Sequence, residues 1–185
     1  MTDSTPRRWY TEPDTFIALA ALVVSISAVA VGIYETSLQR HHDEAEVWPH
    51  VEITTYVTPK GAKIAAVNTG VGPAIVRSIT VTVDGRPMHN WNEVLTALTG
   101  HVPTMMDNST IADHALRAGD QSELLGVGIA NLPQPFWQSM RRVAITICYA
   151  SVFDEQWTVT DPHLGESTVW RSVKSCPAQP AGVDF

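Results

Sequence analysis

The stretch TFIALAALVVSISAVAVGIY, from Thr15 to Tyr34, runs for 20 residues without a single charged side chain. As an α-helix it would reach about 30 Å, which is the hydrocarbon thickness of a bilayer. Aromatic residues stand at both ends, where headgroup layers favour them: Trp9 and Tyr10 before the run and Tyr34 at its close. We therefore predict a transmembrane helix over residues 15–34.

A cleaved signal peptide is the rival interpretation, because Ala28-Val29-Ala30 resembles a small-x-small cleavage site. The apolar cores of signal peptides run for about 7–15 residues. This run is longer, and it continues through Val31 and Ile33, past the supposed cut. The pattern favours a retained anchor.

The basic residues that flank the run predict its orientation. Arg7 and Arg8 precede it, whereas Arg40 is the only basic residue in the short stretch that follows. Because Lys and Arg collect on the cytoplasmic side, we expect the N-terminal flank, residues 1–14, to be cytoplasmic. The remainder of the chain would then lie outside the cytoplasm.

Small residues recur along one side of the predicted span, at intervals of three and four. Such a seam lets two transmembrane backbones approach closely, so it predicts packing against another membrane protein or a second copy. An Ala-rich helix would also produce a stripe of this kind by composition alone. The helix-packing residues are Ala18, Ala21, Ser25, Ala28 and Gly32.

Residues 35–46, ETSLQRHHDEAE, contain neither Gly nor Pro and are typical of a helix that continues the span. Pro49 would stop it. The pair His41-His42 raises the hypothesis of a metal or pH-sensing feature. Adjacent helical residues point about 100° apart and chelate one ion poorly, so a solvated juxtamembrane helix is the favoured interpretation.

From Val47 the pattern changes to the two-residue period of a half-buried strand. In VEITTYVT, Val51, Ile53 and Val57 alternate with polar residues. Seven or so short strands at spacings of about ten residues predict an antiparallel immunoglobulin-like sandwich over residues 47–175. The predicted segments are strands at 51–58, 63–68, 75–83, 123–129, 143–150, 156–160 and 168–173, a short inserted helix at 90–99, a long loop at 101–114, a single helical turn at 136–140 and a flexible tail at 176–185.

Three short stretches carry a resemblance to known proteins. They are NTGVGPA (68–74) between two strands, RAGD (117–120) before a strand, and ICYASVFD (147–154) leading into a hairpin. This series resembles a loose group of uncharacterised bacterial membrane-anchored β-sandwich proteins. The resemblance implies an immunoglobulin-like sandwich. Together with the orientation that Arg7 and Arg8 predict, it leads us to expect a single-pass protein of the bacterial inner (cytoplasmic) membrane with the domain periplasmic or extracellular. It implies no catalytic or binding residue.

Charge and cysteine content narrow the classes of function. The net charge is −7, and an acidic chain lacks the positive surface that phosphate backbones require, so nucleic acid is not an expected partner. Cys148 and Cys176 form an even pair, which fits a disulfide in an oxidising compartment. In the cytosol the same pair would be two unrelated thiols.

Motifs that carry chemistry are scarce in this sequence. Gly70-x-Gly72 precedes a Pro and a strand rather than a helix, so a turn is favoured over a phosphate site. His101, Asp107, Asp113 and His114 fall in or near the long loop and raise the hypothesis of a metal cluster, although their spacing matches no ligand pattern. Four tryptophans raise the hypothesis of a glycan-binding platform, although a role in the core is favoured for them: Trp91, Trp137, Trp157 and Trp170.

We accordingly expect a membrane-tethered, non-enzymatic interaction module, a subunit of an envelope complex, with no cofactor and no catalytic residue. The expected partners are the lipid bilayer and another membrane protein or a second copy, met through the transmembrane helix. A ligand- or glycan-binding sensor, with the long loop or exposed tryptophans as its site, is the alternative. A metal-dependent enzyme built on that loop is the second alternative.

Overall fold

A computed structural model describes residues 13–101, 106–128 and 135–185, without the side chains of 41–45 and 136–137. The chain divides into two compact units, Met1–Ala45 and Glu46–Phe185. Most of the predicted N-terminal flank, with Arg7 and Arg8, lies outside the described residues.

The first unit is dominated by one helix, α1, which spans Pro13–Glu46. Its portion Pro13–Arg40, 28 residues long, is long and apolar enough to cross a membrane by length and composition, as a membrane anchor or a signal sequence would be. The helix covers both the predicted span and the predicted juxtamembrane helix. Its apolar side chains are exposed, as those of a lipid-facing helix would be.

The small-residue seam lies on the exposed surface of α1. The Ser25 hydroxyl donates to the Ala21 carbonyl at 2.7 Å, so it is already engaged with its own helix. Apart from its neighbours in the chain and the backbone of its own helix, no described atom lies within 4 Å of the position that a Cβ of Gly32 would occupy. That surface is free for close packing, and the packing itself stays a prediction. The side chains of His41 and His42 lie outside the described residues.

The second unit is built mainly of antiparallel strands. In chain order its elements are β1 (Val51–Thr58), β2 (Gly61–Asn68), β3 (Ala74–Val83), β4 (Arg86–Pro87), α2 (Trp91–Thr99), β5 (Met106–Asn108), β6 (Ala115–Leu116), β7 (Gln121–Gly128), α3 (Phe136–Met140), β8 (Val143–Ala150), β9 (Gln156–Asp161) and β10 (Val169–Val173).

Two antiparallel sheets contain these strands. The first has the order β1-β2-β7-β5, and the second has the order β10-β9-β8-β3-β4, with β6 paired to one end of β3. Apolar side chains from both sheets and from α2 form one buried core, in which Val51, Ile79 and Ile145 are fully inaccessible and Trp91 nearly so. The alternation of apolar and polar residues thus places one face of each sheet against the other.

The coarse prediction, an N-terminal apolar helix followed by a mainly β unit with a short inserted helix, is confirmed. Asn90 caps α2 by accepting from the Glu93 amide at 3.0 Å, and Gly100 ends the helix in a left-handed conformation. Strands β4, β5 and β6 have only two or three residues, too few to show a period, and the sequence did not predict them. Of the predicted long loop, residues 102–105 lie outside the described part.

The prediction of a flexible tail over 176–185 differs from the structure, in which this segment crosses the second sheet and packs. Cys176 is bonded to Cys148. The Gln179 side chain accepts from the Ile79 amide at 2.9 Å, next to the irregular register of β3. Phe185 is fully buried with its ring edge-on to Trp91 at 5.1 Å. The aromatic residue at position 185 provides apolar area that outweighs the polar composition of the segment.

Candidate interaction surface beside the first strand

The NTGVGPA loop is organised by one buried amide. Asn68 is fully inaccessible. Its side-chain oxygen accepts from the amides of His50 at 3.2 Å and Gly70 at 3.1 Å, and its nitrogen donates to the carbonyls of Gly72 at 2.8 Å and Leu116 at 2.9 Å. All four side-chain hydrogen-bonding positions of an asparagine are therefore used.

This loop holds the segment that follows α1. The Trp48 carbonyl accepts from the amides of Val71 at 3.0 Å and Gly72 at 3.2 Å, and the His50 carbonyl accepts from Thr69 at 2.7 Å. A Cβ at Gly72 would collide with the carbonyl of Val47. The glycines are needed because two backbones pass in contact, which is the turn interpretation rather than a phosphate cradle.

Three aromatic rings lie at the surface beside this loop, and we call them the aromatic cap: Trp48, His50 and Trp170. The ring centroids of Trp48 and His50 are 5.3 Å apart, and His50 stacks on Trp170 at 4.8 Å. Trp48 is 47% exposed and Trp170 is 37% exposed. Glu52 brings a carboxylate oxygen to 3.8 Å from His50 Nε2. The cap thus presents indole surface with polar groups at its edge.

The Trp170 ring of the aromatic cap is hydrogen-bonded to β1. The indole nitrogen of Trp170 donates to the Val51 carbonyl at 2.7 Å, and the Val51 amide donates to the Tyr149 hydroxyl at 3.4 Å. Burial raises the pKa of the Tyr149 phenol, and the hydrogen bond from Val51 opposes that rise. The phenol therefore stays neutral around physiological pH and keeps this contact.

The backbone groups of β1 alternate in direction. The His50 carbonyl accepts from Thr69 beside β2, whereas the Val51 amide points away from β2 to Tyr149. The odd-numbered residues of β1 therefore direct their amides and carbonyls to the side away from β2. We call the stretch from Ile53 to Val57 the open edge, because among the described residues no strand pairs with it on the side away from β2. Tyr56 and Val57 are exposed there.

The loop residues that raised the hypothesis of a metal cluster form no such cluster. The imidazole nitrogen Nδ1 of His101 lies 3.2 Å from the Thr99 carbonyl, and that of His114 lies 2.9 Å from the Ala112 carbonyl. Within the described ranges no group of three or more His, Cys, Asp or Glu side chains is arranged to hold a metal ion. These histidines bond to carbonyls two residues before them.

The tryptophans that raised the hypothesis of a glycan-binding platform are dispersed as well. Trp91 is buried in the core, Trp157 stacks on Tyr149 at 5.9 Å, and the side chain of Trp137 lies outside the described part of the chain. Of the three tryptophans in this set whose side chains are described, only Trp170 belongs to the aromatic cap. The sequence reasoning missed Trp48 and His50, whose local signal was only their position between a helix and a strand.

Cys148 and Cys176 form a disulfide with their Cα atoms 5.6 Å apart. Cys148 lies on the outer face of the second sheet, between Ser78 and Thr158 of the neighbouring strands. The bond attaches the C-terminal segment to β8, which leaves neither residue as a free nucleophile.

A shallow groove of about 440 Å³ runs along this C-terminal segment beside the disulfide. Arg77 and Asp154 face each other there at 3.8 Å, and both are largely exposed. An exposed pair at this distance contributes little binding energy. The groove is polar and open, and the aromatic cap is the stronger candidate surface.

In comparisons with known proteins, no protein-family model, no curated protein and no solved structure matches the chain.

Proposed function

We propose that this chain is a membrane-tethered, non-enzymatic interaction module and a subunit of an envelope protein complex. The observation that carries the proposal is the aromatic cap, in which two indoles are partly exposed. The Trp170 indole is held by its hydrogen bond to the Val51 carbonyl, and Trp48 is held by the backbone hydrogen bonds to its carbonyl and by ring contact with His50. Tryptophan is enriched among the residues that contribute most to protein interfaces. Because the rings are already ordered, a partner would lose little conformational entropy on binding them.

The exposed area is large enough to matter for binding. The uncovered parts of Trp48 and Trp170 amount to 47% and 37% of their surfaces. Covering them would remove on the order of 150 Å² from water, which corresponds to about 4 kcal/mol. That is a sizeable share of the free energy of a micromolar complex, about 8 kcal/mol.

The fold class within this proposal is an immunoglobulin-like sandwich. In the constant-type immunoglobulin fold, one sheet has the order A-B-E-D and the other has the order C-F-G. Assigning A to G to β1, β2, β3, β5, β7, β8 and β9 reproduces both orders. The departures are three additional strands, β10 beside G and the short β4 and β6 beside C, and a disulfide from strand F to the C-terminal segment instead of to strand B. Many cell-surface domains share this architecture.

The tether in this proposal is α1, retained in the bacterial inner membrane with the β unit periplasmic or extracellular. The disulfide supports that location, because such bonds persist in oxidising compartments. The uncharged run of α1 supports retention, as does the resemblance to membrane-anchored β-sandwich proteins.

Co-purification from native membranes in a mild detergent tests the proposal. We expect a discrete partner to accompany the wild-type chain and to be lost from Trp48→Ala, which removes the more exposed of the two indoles. Thr82→Ala, on the outer face of β3 and away from the cap, is the matched control and should retain the partner. Equal recovery with all three chains, or no partner with any, would contradict the proposal.

A ligand- or glycan-binding role is the alternative favoured by one specific observation. The stacked rings of His50 and Trp170 lie beside the Glu52 carboxylate, and sugars bind through stacking together with hydrogen bonds to such polar groups. Titration calorimetry with envelope oligosaccharides distinguishes the two roles. Saturable heat that Trp48→Ala abolishes would favour the glycan role over a protein partner.

A further inference from the structure

We propose that the open edge of β1 is a self-association site, at which it pairs antiparallel with the open edge of a second copy of this chain. The proposal deepens the proposed function by assigning one partner of the β unit. It rests on a different surface from the aromatic cap, so the two can be tested apart.

The backbone of β1 provides the geometry for such pairing. Val51 already directs its amide and carbonyl away from β2, to Tyr149 and Trp170. By the alternation of an antiparallel ladder, Ile53, Thr55 and Val57 direct theirs to the same side. Among the described residues no strand accepts them, and an edge of this kind is a template for a further strand.

One register fits two copies of this edge. Pairing Thr55 with Thr55 of the second copy places Ile53 opposite Val57, and about six backbone hydrogen bonds form between the strands. A shift toward the N-terminus runs into Val51, which Trp170 and Tyr149 occupy. A shift toward the C-terminus brings in Pro59, which has no amide hydrogen to donate.

The side chain of Thr55 is the second observation that points to this partner. Its hydroxyl is buried and has no hydrogen-bond partner among the described residues, an uncommon state for a buried polar atom. Because this hydroxyl faces the interior of its own chain, rotation about the Cα–Cβ bond would first turn it toward the edge. At the two-fold axis it would then meet the hydroxyl of its own copy, and Thr–Thr pairs form hydrogen bonds across strands.

The remaining side chains agree with the same register. Val57 is 49% exposed on the core-facing side of β1, and Ile53 of the second copy would cover it. On the other face, Tyr56 lies opposite Thr54 and Glu52 lies opposite Thr58. The charged residue of the strand therefore does not face its own copy, which would be unfavourable.

Cysteine cross-linking in the full chain tests this assignment, with the native disulfide intact and the protein in mild detergent. In Thr55→Cys the two new sulfurs would meet across the axis, with Cα atoms about 5.5 Å apart, a distance that disulfides span. In Thr58→Cys, the control on the same strand, they would be about 20 Å apart. We expect mild oxidation to give a covalent dimer from the first variant and none from the second.

A second variant addresses the backbone directly. Thr55→Pro removes an outward amide without removing a bond between β1 and β2, so the chain should keep its fold. Losing two of about six interstrand bonds would raise the dimer dissociation constant on the order of 10- to 100-fold. Sedimentation velocity in matched detergent measures this change.

Equal cross-linking of Thr55→Cys and Thr58→Cys, or an unchanged dissociation constant in Thr55→Pro, would overturn the proposal. A covalent adduct between Thr55→Cys and a different protein in native membranes would also overturn it, because the occupant of the edge would then be another chain. Retention of the co-purified partner by Thr55→Pro would show that the interaction through the aromatic cap stands independently.

Discussion

Replacing Asn68 with alanine tests whether one buried amide holds the glycine loop to the segment that follows α1. The substitution leaves two buried carbonyls, of Gly72 and Leu116, without their donors. It also removes the acceptor of two part-buried amides, of His50 and Gly70. The four contacts connect three separate parts of the chain.

The expected cost follows from these four groups. An unsatisfied buried group costs about 1–3 kcal/mol, and a part-buried group that water can reach costs less. Two of each give a loss of about 4 kcal/mol in the free energy of unfolding of the β unit. Domains of this size are stable by about 5–15 kcal/mol, so Asn68→Ala would remove a large part of the stability.

Urea denaturation of the full chain in mild detergent, followed by tryptophan fluorescence, measures the loss. Thr69→Ala is the control, because the Thr69 hydroxyl bonds to the His50 carbonyl at an exposed position, at 3.2 Å, and its removal should cost less than about 0.5 kcal/mol. A loss below about 1 kcal/mol for Asn68→Ala would refute the reasoning. Equal losses for the two variants would refute it as well.

Three other predictions concern the helix, a buried carboxyl and the disulfide. Gly32→Leu in α1 should weaken helix association in detergent, as measured by cross-linking, and Ala30→Leu off the seam should not; equal effects would mean that the stripe is only composition. Burial raises the pKa of Asp161 above its ordinary value of 3.8, against opposing hydrogen bonds from backbone amides. The folded state therefore favours the neutral carboxyl. The resulting stabilisation is fully present below the ordinary pKa of an aspartate and is lost as the pH rises through the raised pKa of Asp161 in the folded protein. The unfolding free energy of the wild type minus that of Asp161→Asn should fall with rising pH over this window, and a flat difference would contradict the shift. Alkylation of the denatured, unreduced protein should find no free thiol at Cys148 or Cys176, whereas two free thiols per chain would rule out the bond. Reduction should lower stability by roughly 3–4 kcal/mol, as the chain-entropy model gives for a closed loop spanning 28 residues.

Local pattern was sufficient to predict the regular elements. Three signals depend only on neighbouring residues. They are the uncharged run of α1, the two-residue alternation in β1, β3 and β8, and the placement of α2 between its N-cap residue and a C-terminal glycine. The three shortest strands are held by pairing with β3 and β7, and so their own residues carry no such pattern.

The candidate surface depends on contacts between distant residues. Trp170 reaches Val51 across a separation of 119 residues, and nothing near Trp48 or His50 in the sequence indicates that ring. The alternation in VEITTYVT predicts a strand equally well at the edge or in the middle of a sheet, so the open edge was not predictable. Phe185 is buried by a core whose other members lie far from it in the chain, which is why the tail appeared polar and flexible.

The claim on which the rest depends is that α1 tethers the β unit to a membrane. Carbonate extraction of native membranes, with the N-terminus of the recovered chain determined by mass spectrometry, tests it most directly. We expect the chain to stay in the membrane fraction with residues 15–34 intact. Recovery in the soluble fraction, with a new N-terminus at Val31, would show that the run is a cleaved signal peptide and would contradict the account.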